Sequence, residues 1–233
     1  AVIKFQYRQL DTFIHPAHKE GSDNKHIPRF ISTRLSRDDW QVLFDAVKAE
    51  GMLTMCTPFD EESVPVITDM GFDFIKVASC SAKDWPLLEA VAEATMPVVV
   101  STGGLDVSDI DNITSFFEHR GVAHALMHCV SIYPIPRNDF NLNHIDTLKK
   151  RYRKLTVGWS THEDPNEIVP VQIAVAKGAR MFERHVGFET DDNKLNAYSS
   201  TPEQLDKWIE AYKYANDLCG AKDERPVTLV EKE

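Results

Sequence analysis

Seven short runs rich in β-branched and aromatic residues recur along this chain, each followed by a longer segment. The runs are VIKFQY (2–7), LTMCTPF (53–59), FIKVAS (74–79), PVVVST (97–102), HALMHCV (124–130), LTVGWST (155–161) and MFERHV (181–186). Segments with helical spacing lie near 37–50, 61–70, 84–94, 106–119, 141–152, 165–177 and 202–218. This alternation predicts a parallel sheet with crossover helices. In the 37–50 segment Trp40, Leu43, Phe44 and Val47 form one apolar stripe, and Gly51 closes it. Asp106 and Thr201 are predicted helix N-caps. Pro86 and Pro202 fall in first turns, where proline is accepted.

An open doubly wound sheet and a closed barrel share this period. The strand ends favour the barrel. Polar residues gather there: Lys4 and Gln6, Thr57, Lys76 and Ser79, Ser101 and Thr102, Ser131, Ser160 and His162, and His185. In a (β/α)8 TIM barrel all such ends converge on one mouth, whereas an open sheet converges only those near its switch point. A closed barrel of this type needs eight strands, and seven are found. Because the chain starts directly in a strand, the expectation is that a first βα unit precedes Ala1. Residues 8–33 read as one long basic loop with several histidines, a length associated with functional lids.

The chain has 233 residues and a formal net charge of −10, with no long basic run. That argues against nucleic acid as its main partner. No apolar stretch reaches the roughly 18 residues of a membrane span, and no signal peptide is visible. The four cysteines, Cys56, Cys80, Cys129 and Cys219, lack CxxC spacing. Three of them are assigned to strands as small core residues, and a reduced, cytoplasmic setting is expected.

The chemistry starts from His162 and His185, which close successive strands. A lone histidine on a strand is more often a hydrogen-bonded core residue than a ligand. Two at neighbouring barrel-strand ends could hold one divalent cation, with water and substrate oxygens completing the shell. No HExxH accompanies them, so an open catalytic site is expected rather than a closed structural one. Glu183 shares strand parity with His185, and its role stays open. Lys4 and Lys76 lie in otherwise apolar strands. A buried lysine needs either an anionic ligand or an internal carboxylate. The hydroxyls of Ser79, Ser101, Thr102 and Ser160 lie at neighbouring strand ends. STGG (101–104) places flexible backbone N–H groups just before a helix start, an expected anion seat. Together these groups suit a ligand carrying phosphate and carboxylate.

The stretches VIKFQ, CTPFDEESV, FIKVASCSAKDWPLL, PVVVSTGG, MHCVSIYPIP, VGWSTHED and FERHV, in this order, resemble the barrel domain of the sialic acid synthase family, including its spore coat polysaccharide biosynthesis protein E branch. The resemblance runs to about Gly220. It makes 1–220 the barrel domain and 221–233 a C-terminal tail without the family's antifreeze-like domain. What it implies is condensation of phosphoenolpyruvate with an N-acyl mannosamine-like amino sugar, giving a sialic-type acid and phosphate for surface polysaccharide biosynthesis. It further implies Mn2+ or Mg2+ on His162 and His185, and a homodimer. By the same resemblance Lys4, Thr57, Lys76, Ser79, Ser101 and Ser160 match the positions that hold phosphoenolpyruvate, with Lys76 and the two histidines central to the reaction. Gln6 and Tyr133 match positions that face the sugar.

This chain departs from the family at Ser81, where glutamate is usual, and at Ser131, where asparagine is common. KLNAYS (194–199) replaces the usual Pro-Asp-His segment, with Asn196 near the aspartate position. All the departures lie on the acceptor side, which points to a different acylated amino sugar. Two other readings stay open: a barrel that binds metal or a phosphosugar without condensing anything, and an aldolase or isomerase with Lys4 or Lys76 as the reactive amine.

Overall fold

A computed structural model of the chain describes residues 1–19, 21, 23–24, 26–191, 194–220 and 230–232. In chain order the elements are β1 (Val2–Tyr7), α1 (Leu10–Phe13), α2 (His26–Ser32), α3 (Arg37–Ala49), β2 (Leu53–Pro58), α4 (Ser63–Met70), β3 (Phe74–Val77) and α5 (Trp85–Glu93). They continue with β4 (Val98–Ser101), α6 (Val107–His119), β5 (His124–His128), α7 (Asn143–Arg151), β6 (Thr156–Ser160), α8 (Val169–Ala176), β7 (Phe182–Glu183) and α9 (Pro202–Cys219). The strands form one sheet in the order β1 to β7. Pairing is parallel from β1 through β4 and between β6 and β7. No helix among the described residues is long and apolar enough to cross a membrane.

The chain divides into two compact units. One comprises Ala1–Ser101 with Leu105–Ala125, the other Thr102–Gly104 with Leu126–Glu233. In the first, β4 is buried along its whole length, as a parallel strand covered on both faces should be. Ile67, Ile75, Val100, Leu87, Leu88 and Phe117 are fully shielded and form its core. Each such side chain contributes about 1.5–3 kcal/mol by leaving water. In the second, Leu126, Met127, Ile145, Leu148, Trp159 and Val171 do the same. Gly158 in β6 lies hard against its neighbours. A Cβ there would stand 2.4 Å from the Met127 sulfur and 2.6 Å from the Met181 carbonyl oxygen.

Helix starts follow local chemistry. Ser36, Asp106 and Thr201 each cap a helix, and each donates its backbone N–H in return to the side chain three positions on: Asp39, Asp109 and Gln204. Pro86 and Pro202 occupy first turns, as predicted. Gly71, in the left-handed region at φ 79°, ends α4.

Several expectations need correction. Residues 8–33 are not one loop: they hold α1, a 3-10 turn at Pro16–His18 and α2. The Arg8 guanidinium organises this segment, lying 3.7 Å from the Phe59 ring centroid and 4.5 Å from that of Phe30. Glu20, Ser22 and Lys25 of this stretch lie outside the described residues. The six-residue strand expected at 181–186 shrinks to Phe182–Glu183, followed by an isolated bridge between Val186 and Ser200. Ser79 leaves β3 for a 3-10 turn that also carries Cys80. Of the four cysteines only Cys56 sits in a strand. Cys129 is buried just beyond β5, and Cys80 and Cys219 are exposed. The tail expected at 221–233 lies outside the described residues apart from Val230–Lys232.

Candidate functional site

Each unit carries part of the chemistry, and each is built from strand ends. In the first unit β3 delivers Lys76, only 3% exposed. Its Nζ donates to the Ser101 hydroxyl at the end of β4, at 2.6 Å. The β3–β4 register, Lys76 opposite Val99 and Val77 opposite Val100, brings the two together. Beside them in sequence, Ser79 is half-buried at the start of its 3-10 turn. On β1, Lys4 and Gln6 share one face and pair in register with Met55 and Thr57 of β2. Lys4 is half-buried and Gln6 exposed. Thr57 is buried, and its hydroxyl has no hydrogen-bond partner among the described residues. An open cavity of about 500 Å³ lies against Gln6, with Arg8, Arg34, Arg37, Tyr7 and Trp40 on its walls.

At STGG, where an anion seat is expected, Thr102 is engaged internally. Thr102 commits both its backbone N–H and its hydroxyl to the Met127 carbonyl oxygen. The α6 N-terminus holds its own anion, because the Asp106 carboxylate accepts from the Asp109 backbone at 2.8 Å. That bond, and the hydroxyl of Ser108, hold the Asp106 carboxyl below its ordinary range.

In the second unit the two histidines lie just beyond β6 and β7. Ser160 ends β6, and its hydroxyl donates to Glu183 of β7 at 2.9 Å, which gives Glu183 a definite partner. His162 is 7% exposed and His185 half-buried. Their ring centroids are 5.3 Å apart with the planes tilted by 40°. Metal–nitrogen bonds of about 2.1 Å would place two imidazoles on one cation at roughly this separation, and imidazole suits divalent transition metals. The pair therefore fits such an ion chemically. Among the described residues no cluster of three or more His, Cys, Asp or Glu side chains is suited to a metal. Any ion held here would rely on water or substrate oxygens for its remaining positions.

Two tyrosines complete this part. Tyr133 lies 4.4 Å from His162 between ring centroids. Tyr198 lies 5.4 Å from His162, 5.3 Å from His185 and 5.4 Å from Tyr133. Ser131, two residues before Tyr133, is exposed. Asn196 has a local duty: its side-chain oxygen accepts from the Tyr198 backbone at 3.2 Å and from the Ser199 hydroxyl at 2.8 Å. That turn presents Tyr198, and the Ser200 N–H to His185 carbonyl bond fixes it beside the histidine.

Sequence reasoning missed Tyr198 and a buried group behind the histidines. Glu163 and Arg184 form an ion pair with side chains only 1% and 2% exposed. Burial pushes the Glu163 carboxyl above its ordinary range although Arg184 opposes the shift. The available signal was positional: one residue follows His162, the other precedes His185, and their charges are opposite.

The sequence profile of the NeuB family matches residues 1–224. A crystal structure of a Chromobacterium violaceum protein, provisionally assigned as spore coat polysaccharide biosynthesis protein E, superposes with a TM-score of 0.94 at 46% identity, covering 98% of this chain and 68% of that one. The N-acetylneuraminic acid synthetase of Leptospira borgpetersenii, solved with citrate, gives a TM-score of 0.85 at 27% identity, covering 99% of this chain and 78% of the other. The N,N'-diacetyllegionaminic acid synthase of Legionella pneumophila is 27% identical over 241 residues, which is 96% of this chain and 66% of that protein. The chain spans about two thirds of the length of the curated relatives it matches first.

Proposed function

The chain belongs to the NeuB family, and from that premise we propose that it forms the core of a synthase joining phosphoenolpyruvate to an N-acylated, mannosamine-like amino sugar. The products are a nonulosonic acid of the sialic type and inorganic phosphate. The observation that carries the proposal is Lys76, a shielded ammonium hydrogen-bonded to the Ser101 hydroxyl. Such a cation suits the phosphate or carboxylate of the donor, and Lys4 on β1 adds a second positive charge. These charges act where phosphate builds negative charge as it leaves. Ser79, Thr57 and Ser160 supply further hydrogen bonds to the donor.

In this reading His162 and His185 would hold a divalent ion, Mn2+ or Mg2+. When bound, that ion supplies Lewis acidity to the acceptor aldehyde. The enol carbon C3 bonds to the aldehyde carbon, water adds at C2, and phosphate departs. Gln6, Tyr133, Ser131 and Asn196 lie on the acceptor side. Relatives named for legionaminic, pseudaminic and neuraminic acid products support the general reaction while leaving the acceptor open. A closed (β/α)8 barrel to which these seven strands contribute, a homodimer and a cytoplasmic location belong to the same proposal.

The test is phosphate release from phosphoenolpyruvate in the presence of manganese, with and without N-acylated hexosamines. Release that depends on an acylated amino sugar supports the reading. Release independent of every acceptor would sink it, and release unaltered in Lys76→Ala at low phosphoenolpyruvate would remove Lys76 from the donor site.

A further inference from the structure

The Glu163–Arg184 pair has a place in the fold that stability alone does not explain. Glu163 Oε1 accepts from Arg184 and, at 3.3 Å, from the indole N–H of Trp208 on α9. Arg184 donates as well to the Ser200 hydroxyl and to the Asp164 carbonyl oxygen. Its guanidinium lies 5.5 Å from the Trp208 ring centroid, and Trp208 is itself buried. The two paired side chains are almost wholly removed from water. A buried ion pair of this kind costs desolvation, and an apolar pair of similar volume is often as stable or more so. What an ion pair with a fixed fork supplies is registry: a guanidinium bonded to a carboxylate, a hydroxyl and a carbonyl accepts little displacement.

The chain connects that registry directly to the histidines. Glu163 follows His162 and Arg184 precedes His185, so the pair joins the two histidine segments one residue from each ring. Backbone bonds hold the same segments from other sides: Thr161 N–H to the Glu183 carbonyl at 3.2 Å, Ile135 N–H to the His162 carbonyl at 3.0 Å, and Ser200 N–H to the His185 carbonyl at 2.9 Å. We propose that Glu163 and Arg184 are positioning residues, a buried clamp that sets the separation of His162 and His185 and thereby the affinity of the pair for a divalent cation. This rests on reading the two histidines as metal ligands.

The test measures Mn2+ affinity by electron paramagnetic resonance and folding by circular dichroism on the same samples. Four proteins are compared: the parent chain, Glu163→Gln, the apolar double variant Glu163→Met with Arg184→Met, and His162→Ala. Glu163→Gln is expected to weaken Mn2+ binding about 10- to 100-fold, as loss of groups that orient metal ligands commonly does. The double variant removes the buried charges together and so keeps the fold when the single change does not. It is expected to melt near the parent temperature and still bind Mn2+ weakly, a split that a purely structural pair would not produce. A folded double variant with parental Mn2+ affinity overturns the clamp. If His162→Ala abolishes binding while both clamp variants retain it, only the clamp falls. If His162→Ala retains binding, the metal reading falls and the clamp with it.

Discussion

Lys76 and Ser101, 25 positions apart, meet at 2.6 Å between the neighbouring strands β3 and β4, and both are buried. The bond orients the Lys76 ammonium. Lys76→Ala is therefore expected to weaken phosphoenolpyruvate binding by about 1.5–3 kcal/mol, the worth of one charge-assisted contact. Calorimetric titration gives the dissociation constant, and thermal melting should change far less than binding does. An unchanged constant would make Lys76 a structural residue.

The histidine pair predicts one divalent cation per chain. Elemental analysis after manganese loading should find roughly one equivalent, and His162→Ala or His185→Ala should each lower it sharply. Stoichiometric manganese retained in the double alanine variant would place the ion elsewhere.

Gly158 tests the packing of β6. A methyl group there would stand 2.4 Å from the Met127 sulfur and 2.6 Å from the backbone oxygen of Met181. The sulfur can move, but the carbonyl belongs to the chain that pairs with β6. Gly158→Ala should cost about 1–3 kcal/mol, read from the urea midpoint. The same substitution should disturb metal binding, because Ser160 ends that strand and His162 lies just beyond it.

His128 predicts a pH dependence. It is buried in β5, with Nε2 2.8 Å from the Phe140 carbonyl oxygen and the His144 ring 5.3 Å away. Burial lowers its pKa from the ordinary 6.5, opposed by the Phe140 contact and assisted by His144. The unfolded chain therefore takes up the proton first as the solution is acidified. The contribution to stability is complete above about pH 6.5 and is lost as pH falls toward the depressed value in the folded state. Urea midpoints between pH 7.5 and 5 should fall less steeply in His128→Gln than in the parent chain. Identical slopes would remove His128 from the acid response.

The sequence alone determined the alternation of strands and helices, the capped starts at Asp106 and Thr201, and the polar residues at the ends of β3, β4 and β6. These depend on a residue's near neighbours: β-branching, helical spacing, a side chain that reaches a backbone N–H three residues on. Lys76 and the two histidines were legible because a lysine inside an apolar strand and a histidine at a strand end stand out locally. Contacts between distant segments decided the rest. Parallel pairing beyond Glu183 gave way to a single bridge with Ser200, so the strand expected at 181–186 is only two residues long. Residues 8–33 hold short helices, and Arg8 lies against the rings of Phe30 and Phe59, a contact that no local pattern announces. Arg184 and Glu163, 21 positions apart, meet only where β6 and β7 lie side by side and α9 brings Trp208 to them. Burial then turns two charges that water would have screened into a joint between the histidine segments, and burial is a property of the assembled chain rather than of any stretch of it.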